Sequence, residues 1–181
     1  LYLAFMHTGA GIKILENNSR PGDPEIINIL PIVEDDFVDV CFKILEGNLT
    51  RVELKKAATV LTYKVPPAYG GYADMFPGLV DNAAVGTAVD MSAAYMLANK
   101  YRDHIRIYPG AMEVRDNKFY ALKSRAVGVL GVGENIEEAR QVSLEGARAI
   151  EGGAMWNRMD IASKKHIAHS VSHMERLRHK P

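Results

Sequence analysis

Past residue 100 the chain alternates short runs of strand character with turns and closes on a capped helix, and this spacing limits the fold more than any other feature. Residues 105–108, 111–114, 119–122 and 126–132 are β-branched or aromatic runs of strand length. Asp116-Asn117 forms a turn between two of them. Asn135, with Glu138 three residues later, is a capping-box pattern. It opens a helix carrying Ile136, Ala139, Val142, Ala147 and Ile150, and Gly152-Gly153 ends it. Gly128, Gly131 and Gly133 are too irregularly spaced for a phosphate-cradling loop and read as turn or bulge glycines.

Upstream the text is more mixed. Residues 57–65 alternate as a strand until Pro66-Pro67 breaks it, and residues 91–102 read as a helix rich in Ala and Met. Residues 73–90 are loop-like. Phe37, Val40, Cys41, Ile44 and Leu45 fall at i, i+3, i+4, i+7 and i+8, a helical stripe stopped by Gly47. On that stripe Cys41 is expected to be a small core residue. Residues 1–7 and 12–18 flank Thr8-Gly9-Ala10-Gly11 as a hairpin. Residues 19–33, with Pro21, Gly22, Pro24 and Pro31, read as a structured loop. A last helix is expected over 160–179. Strands and helices in this order give the α+β class.

Composition narrows the function. Lys plus Arg and Asp plus Glu each count 22 in 181 residues, so there is no basic excess for nucleic acid. Hydrophobic residues at 48% and charged residues at 24% predict a buried core. The single cysteine, Cys41, excludes an internal disulfide and fits a reducing compartment. No apolar run nears the roughly 20 residues that span a bilayer, and no signal sequence is readable. The expected location is cytoplasmic, with no membrane partner. The chain opens at Leu1 directly in strand-like text, as a piece of a longer protein would.

The chemistry lies in the segment LENNSRPGDPE, residues 15–25. On a strand, Glu16 and Asn18 share a face about 7 Å apart. A carboxylate and an amide oxygen are hard ligands suited to Mg²⁺, which takes one or two protein ligands and completes its shell with phosphate and water. Arg20, two residues on, offers a planar fork to phosphate or carboxylate. A Glu-x-Asn pair at a strand end is also ordinary solvated polarity, so the pair by itself has both readings. His166, His169 and His173, spaced on the last helix beside Lys164, Lys165, Arg176, Arg178 and Lys180, read as a solvated amphipathic face rather than a metal site. Trp156 reads as packing.

That segment resembles LEFNxRFGDPE of phosphoribosylamine–glycine ligases, in the ATP-grasp superfamily. Asn17 stands where that pattern has an aromatic, and Pro21 where it has Phe. The resemblance continues in order through residues 37–49, Tyr69-Gly70-Gly71-Tyr72, Ile107-Tyr108-Pro109-Gly110-Ala111, Ser124-Arg125-Ala126-Val127-Gly128-Val129, residues 134–139, and Trp156-Asn157-Arg158-Met159-Asp160-Ile161. The resemblance implies that Glu16 and Asn18 hold Mg²⁺ or Mn²⁺ against ATP phosphates. It implies a catalytic and substrate-binding Arg20 and a substrate-binding Arg125, the latter having an ion-pair reading as well. Some members have a further oxygen ligand on the preceding strand, but the stretch around Ala4 is apolar. The implied architecture is the end of an ATP-grasp domain over residues 1–52 and a β-rich C-terminal domain over 53–181. The implied reaction joins glycine to 5-phosphoribosylamine with ATP, giving phosphoribosyl-glycinamide, ADP and phosphate. The parts of the family that cover ATP lie upstream of such a segment, so the chain alone is expected to be inactive and without tight ATP binding. Two alternatives stand beside this: another purine-pathway ATP-grasp enzyme, such as a carboxyaminoimidazole synthase or a formate-dependent transformylase, and a non-catalytic docking module.

Overall fold

A computed structural model describes residues 2–178; Leu1 and residues 179–181, Lys180 of the basic tail among them, lie outside the described residues. The chain divides into two compact units, Ala57–Ile161 and a second made of Leu1–Lys56 with Ala162–Pro181.

The discontinuous unit begins with a hairpin. Strand β1 (Tyr2–Thr8) pairs antiparallel with β2 (Gly11–Asn18). Gly11 takes a left-handed φ of +94°, which only glycine adopts freely, and Thr8 Oγ1 accepts from Ala10 N at 3.2 Å to close the turn. The proline-rich stretch that follows is more regular than its composition predicts. It forms the short helix α1 (Glu25–Ile29) and a 3₁₀ turn over Leu30–Ile32, because Pro24 and Pro31 sit at helix starts, where a missing N–H costs nothing. Helix α2 (Phe37–Leu45) is capped by Asp36, whose carboxylate accepts from Val38 N and Asp39 N. The segment after α2 returns to pair Val33 with Leu54, and Asp35 accepts from Glu53 N at 2.6 Å.

The α2 stripe is present, yet Val40 is its one buried residue. Leu45 is 82% exposed, and Cys41 is exposed as well, so it is not the core residue expected from periodicity. Periodicity locates the apolar face of a helix; only a neighbouring element can cover it.

The continuous unit holds the core. Strands β3 (Ala58–Lys64), β4 (Ile105–Pro109) and β7 (Val127–Gly133) make an antiparallel sheet in the order β3-β7-β4. Leu61 faces Leu130 and Ile107 faces Val129. The central strand is buried at Val127, Val129 and Leu130, as expected of a strand flanked on both edges and packed on its faces. Between β3 and β4 lie α3 (Tyr72–Met75) and α4 (Ser92–Tyr101). Strands β5 (Met112–Arg115) and β6 (Lys118–Ala121) form a hairpin whose turn residues, Asp116 and Asn117, have φ of +49° and +57°, the pair of left-handed residues that a two-residue hairpin loop requires.

Helix α5 (Ile136–Arg148) packs across the sheet. Its cap follows the sequence pattern: Asn135 Oδ1 accepts from Glu138 N at 3.0 Å, and Glu138 Oε2 accepts from Glu134 N at 2.8 Å. Gly131 is what lets the helix approach. A Cβ there would overlap Ala139 O and lie 2.6 Å from Ser143 N. Gly146 returns the contact from the helix, its Cα facing Ile105 and Val129. Ser143 Oγ, buried at this contact, sits 2.7 Å from Thr62 Oγ1 and 2.8 Å from Val129 O, so no polar atom of the pair is stranded. Trp156 stacks on Tyr72 with centroids 5.0 Å apart and exchanges main-chain hydrogen bonds with Val65, the packing role its isolation predicts. Helix α6 (Lys164–Arg178) of the other unit has no buried residue.

Lys64 carries a testable charge. Its Nζ donates to Ile150 O at 3.0 Å near the end of α5. Burial pushes its pKa below the usual 10.5, and Glu151 only partly restores it. The folded form therefore binds the Lys64 proton less tightly than the unfolded chain does. Between the lowered value and 10.5 the unfolded state holds more protons, so this residue makes stability rise with pH in that alkaline window. In Lys64→Met that rise is expected to flatten, as measured by urea unfolding at several pH values from neutral to 10.5.

Candidate functional site

The two carboxylate-and-amide positions singled out in the sequence lie at the end of β2. The pairing register runs Tyr2 with Asn18, Leu3 with Asn17 and Ala4 with Glu16, then slips so that Phe5 meets Ile14, Met6 meets Lys13 and His7 meets Ile12. Leu15 is left without a partner, a single-residue bulge. Directly paired residues of an antiparallel ladder share a face, and neighbours along a strand alternate. Tyr2, Ala4, Glu16 and Asn18 therefore occupy one face. Leu3, Phe5, Ile12 and Ile14 occupy the other.

The bulge decides this arrangement. Unbroken alternation would have put Ile12, Ile14, Glu16 and Asn18 all on one side. One extra residue turns the polar end of β2 away from its apolar beginning. Glu16 is exposed and Asn18 half-buried. Asn18 Nδ2 is buried with no hydrogen-bond partner among the described residues. No internal bond fixes which end of that amide turns outward, and a half-turn exchanges oxygen and nitrogen.

The Arg20–Glu25 turn folds back toward the same end of the hairpin. Arg20 is exposed, and its Nη1 donates to the adjacent Pro21 O at 2.9 Å. Gly22 is buried, and a Cβ there would press on the Glu25 carboxylate and lie 2.8 Å from the Tyr2 ring. Tyr2 OH donates to Glu25 Oε1 at 3.4 Å. Tyr2 is a residue that sequence reading passes over: it belongs to an apolar strand, and only the pairing with Asn18 shows that it stands beside the site and props Glu25.

Arg125 belongs to the other unit. Its Nε donates to Tyr69 OH at 3.1 Å, and its guanidinium lies 5.3 Å from the centre of the Tyr63 ring. It is thus tied to the Tyr69-Gly70-Gly71 turn. The same unit has a cleft of about 270 Å³, lined by Pro66, Pro67, Arg115, Tyr120, Leu122 and Lys123 among others, and none of the four sequence-derived site residues lines it.

The donor set fits a hard divalent cation within limits. Among the described residues no group of three or more His, Cys, Asp and Glu side chains is placed to hold a metal ion, the histidines of α6 included. A cation at the hairpin would rest on Glu16 and Asn18 with the remaining positions filled by ligand oxygens and water, the coordination Mg²⁺ accepts. Among the described residues, no helix is long and apolar enough to cross a membrane.

No profile of a known protein family matches the chain. Individual relatives do. A phosphoribosylamine–glycine ligase of Methanocella arvoryzae is 33% identical over 180 residues, 98% of this chain and 37% of the relative. Those of Methanococcus maripaludis strain S2 and Methanocaldococcus jannaschii are 38% and 36% identical over the same 98% of the chain. The chain is homologous to the C-terminal part of phosphoribosylamine–glycine ligases. It spans about 37% of the length of these ligases. A solved ligase of the same name from Thermotoga maritima superposes with a TM-score of 0.60 at 24% identity, covering 88% of this chain and 36% of that one, and so shares its α+β fold. The match to the Methanocella arvoryzae ligase covers 98% of the chain and therefore takes in residues of both units.

Proposed function

We propose that this chain supplies the metal-holding hairpin and the C-terminal domain of an ATP-dependent ligase that joins glycine to 5-phosphoribosylamine in purine biosynthesis. The observation that carries the reading is the presentation of Glu16 and Asn18 on one face, opposite Ile12 and Ile14, inside the LENNSRPGDPE segment. The names of the relatives support glycine as the acceptor over formate or bicarbonate. Residues 1–52 would complete the ATP-grasp domain and 53–181 form the C-terminal domain. A cytoplasmic location goes with this reading.

The chemistry then divides among few groups. ATP phosphorylates the glycine carboxylate; the amine of phosphoribosylamine attacks the acyl phosphate and phosphate leaves. A bound Mg²⁺ or Mn²⁺ offsets charge on the ATP phosphates when present. Glu16, through a carboxylate oxygen, and Asn18, through its amide oxygen, would hold that ion. Arg20, whose Nη1 bonds Pro21 O, directs its remaining N–H groups to the reacting carboxylate or a substrate phosphate. Arg125, steadied by Tyr69, offers a second fork to substrate phosphate.

The test is reconstitution. The full chain is mixed with the separately produced N-terminal part of the Methanocella arvoryzae ligase, and ADP release is followed. Release that requires both glycine and phosphoribosylamine is the expected result. Release with formate or bicarbonate and none with glycine would transfer the assignment to the rival enzymes. The chain by itself is expected neither to turn over nor to bind ATP in calorimetry with Mg²⁺, and micromolar binding would contradict that.

A further inference from the structure

We infer that Tyr2 is a positioning residue for the proposed reaction: its ring seats the Arg20–Glu25 turn against the strand end that carries Asn18, and so fixes where the Arg20 guanidinium works. The inference rests on the functional reading above. Arg20 lies two residues past the end of β2, beyond the pairing ladder. Its bond to Pro21 O joins it only to its own neighbour and does not place it relative to β2.

The turn is tied down at Gly22. Its carbonyl accepts from Ile26 N at 2.9 Å, which joins it to α1. Gly22 is buried, and a Cβ there would lie 2.8 Å from Tyr2 Cε2 and 2.9 Å from Tyr2 Cδ2. The turn therefore rests directly on the tyrosine ring, closer than any side chain at residue 22 would allow. Gly22 is not among the glycines of left-handed φ, so its neighbours and not its backbone conformation require glycine here. One of those neighbours, the Glu25 carboxylate, is the end of a flexible side chain; the Tyr2 ring moves only as a rigid plate. Tyr2 is fixed in turn to the ligand pair. It is paired with Asn18 in the ladder and shares the face of Glu16 and Asn18. Its hydroxyl donates to Glu25 Oε1 at 3.4 Å, at the far end of the turn. One side chain thus touches the turn at Gly22 and at Glu25 and stands across the ladder from Asn18.

The test has two readouts. On the full chain by itself, NMR follows the Gly22 α-proton resonances, which an aromatic ring this close displaces from ordinary glycine positions. They should return toward those positions in Tyr2→Leu and stay displaced in Tyr2→Phe, which keeps the ring. In the mixture with the N-terminal part of the Methanocella arvoryzae ligase, Tyr2→Leu should lower kcat for glycine-dependent ADP release about a hundredfold, the cost of displacing an orienting group by about 1 Å. The KM for glycine should change far less. Tyr2→Phe should bring the rate back to within about threefold of the parent, since it gives up one weak, exposed hydrogen bond. Gly22→Ala, which pushes the turn off the ring, should slow the reaction as well. Combined with Tyr2→Leu, its methyl enters the space the ring has left, and the rate should stand about tenfold above the product of the two separate losses, the coupling of residues in contact. Unmoved Gly22 resonances or a parent-like kcat in Tyr2→Leu, a Tyr2→Phe as slow as Tyr2→Leu, or strictly independent losses in the double variant would each overturn the inference. If Tyr2→Leu loses the strand resonances of the hairpin altogether, Gly22→Ala, which leaves Tyr2 in place, decides: a parent-like rate there overturns the inference. A parent mixture that releases no ADP overturns the functional reading and this inference with it, whereas an active parent with any of the contrary results overturns this inference alone.

Discussion

Exchange of Glu16 for glutamine is expected to lower the glycine-dependent rate of the reconstituted ligase about a thousandfold, since a metal ion supplies several kcal/mol of charge stabilisation at a phosphoryl group. Glutamine keeps the size and the hydrogen-bonding reach of the side chain. It removes the negative charge, which is the larger part of a carboxylate's hold on a hard cation. Raising the Mn²⁺ concentration should recover part of the loss in Glu16→Gln and less in Asn18→Leu, where the oxygen itself is gone. Glu16 is exposed, so its exchange should change stability by less than about 0.5 kcal/mol. A Glu16→Gln enzyme that runs within threefold of the parent at every metal concentration would remove Glu16 from the site.

Replacement of Gly131 by alanine is expected to cost about 3 kcal/mol or more in the unit Ala57–Ile161. The new methyl would overlap Ala139 O and stand 2.6 Å from Ser143 N. Both are helix backbone, so no rotamer change can relieve them. Helix α5 would have to lift from the sheet, opening the contact where Ser143 meets Thr62 and where Gly146 meets Ile105 and Val129. Thermal unfolding should fall by on the order of 10 °C. Gly11→Ala serves as the contrast: nothing lies within 4 Å of its Cβ, and only the left-handed φ of +94° resists the change, which amounts to about 1 kcal/mol. Equal losses in the two variants would show that the α5 contact is looser than its geometry states.

The difference between the two units has the same root. Among the described residues, Val40 is the one buried apolar side chain of the hairpin unit, while Leu130, Val129, Ile105 and Ile150 crowd the other. A sheet whose faces are covered by its own chain is stable where it stands. A hairpin with Phe5 and Ile14 exposed is held by its turn and its ladder rather than by a buried core.

Much of this was legible before any coordinates, for local reasons. The Asp116-Asn117 turn, the Asn135 cap and the Gly47 stop depend on residues within a few positions of one another, and each appears as its chemistry requires. Of the stripe expected on α5, Ala139, Ala147 and Ile150 are buried and Val142 is half-buried, while Ile136 in the first turn stays 48% exposed because nothing among the described residues packs over the start of the helix. The identical argument for α2 placed the helix and misjudged its surroundings, since exposure of Cys41 depends on elements that a periodic pattern does not name. Residues 19–33 read as loop from their prolines, but two of those prolines start short helices.

By itself, the amino-acid sequence determined the α+β class and the order of strands and helices, and singled out Glu16, Asn18 and Arg20 as candidates, because these rest on alternation, turn chemistry and a contiguous motif. Tertiary structure alone decided that Leu15 is bulged, that Glu16 and Asn18 thereby leave the apolar face of their own strand, that Tyr2 props Glu25, and that Gly131 is a helix seat rather than a turn. Each of those depends on a partner brought in from elsewhere in the chain. Pairing register is a property of two strands at once, and one strand's text does not contain it.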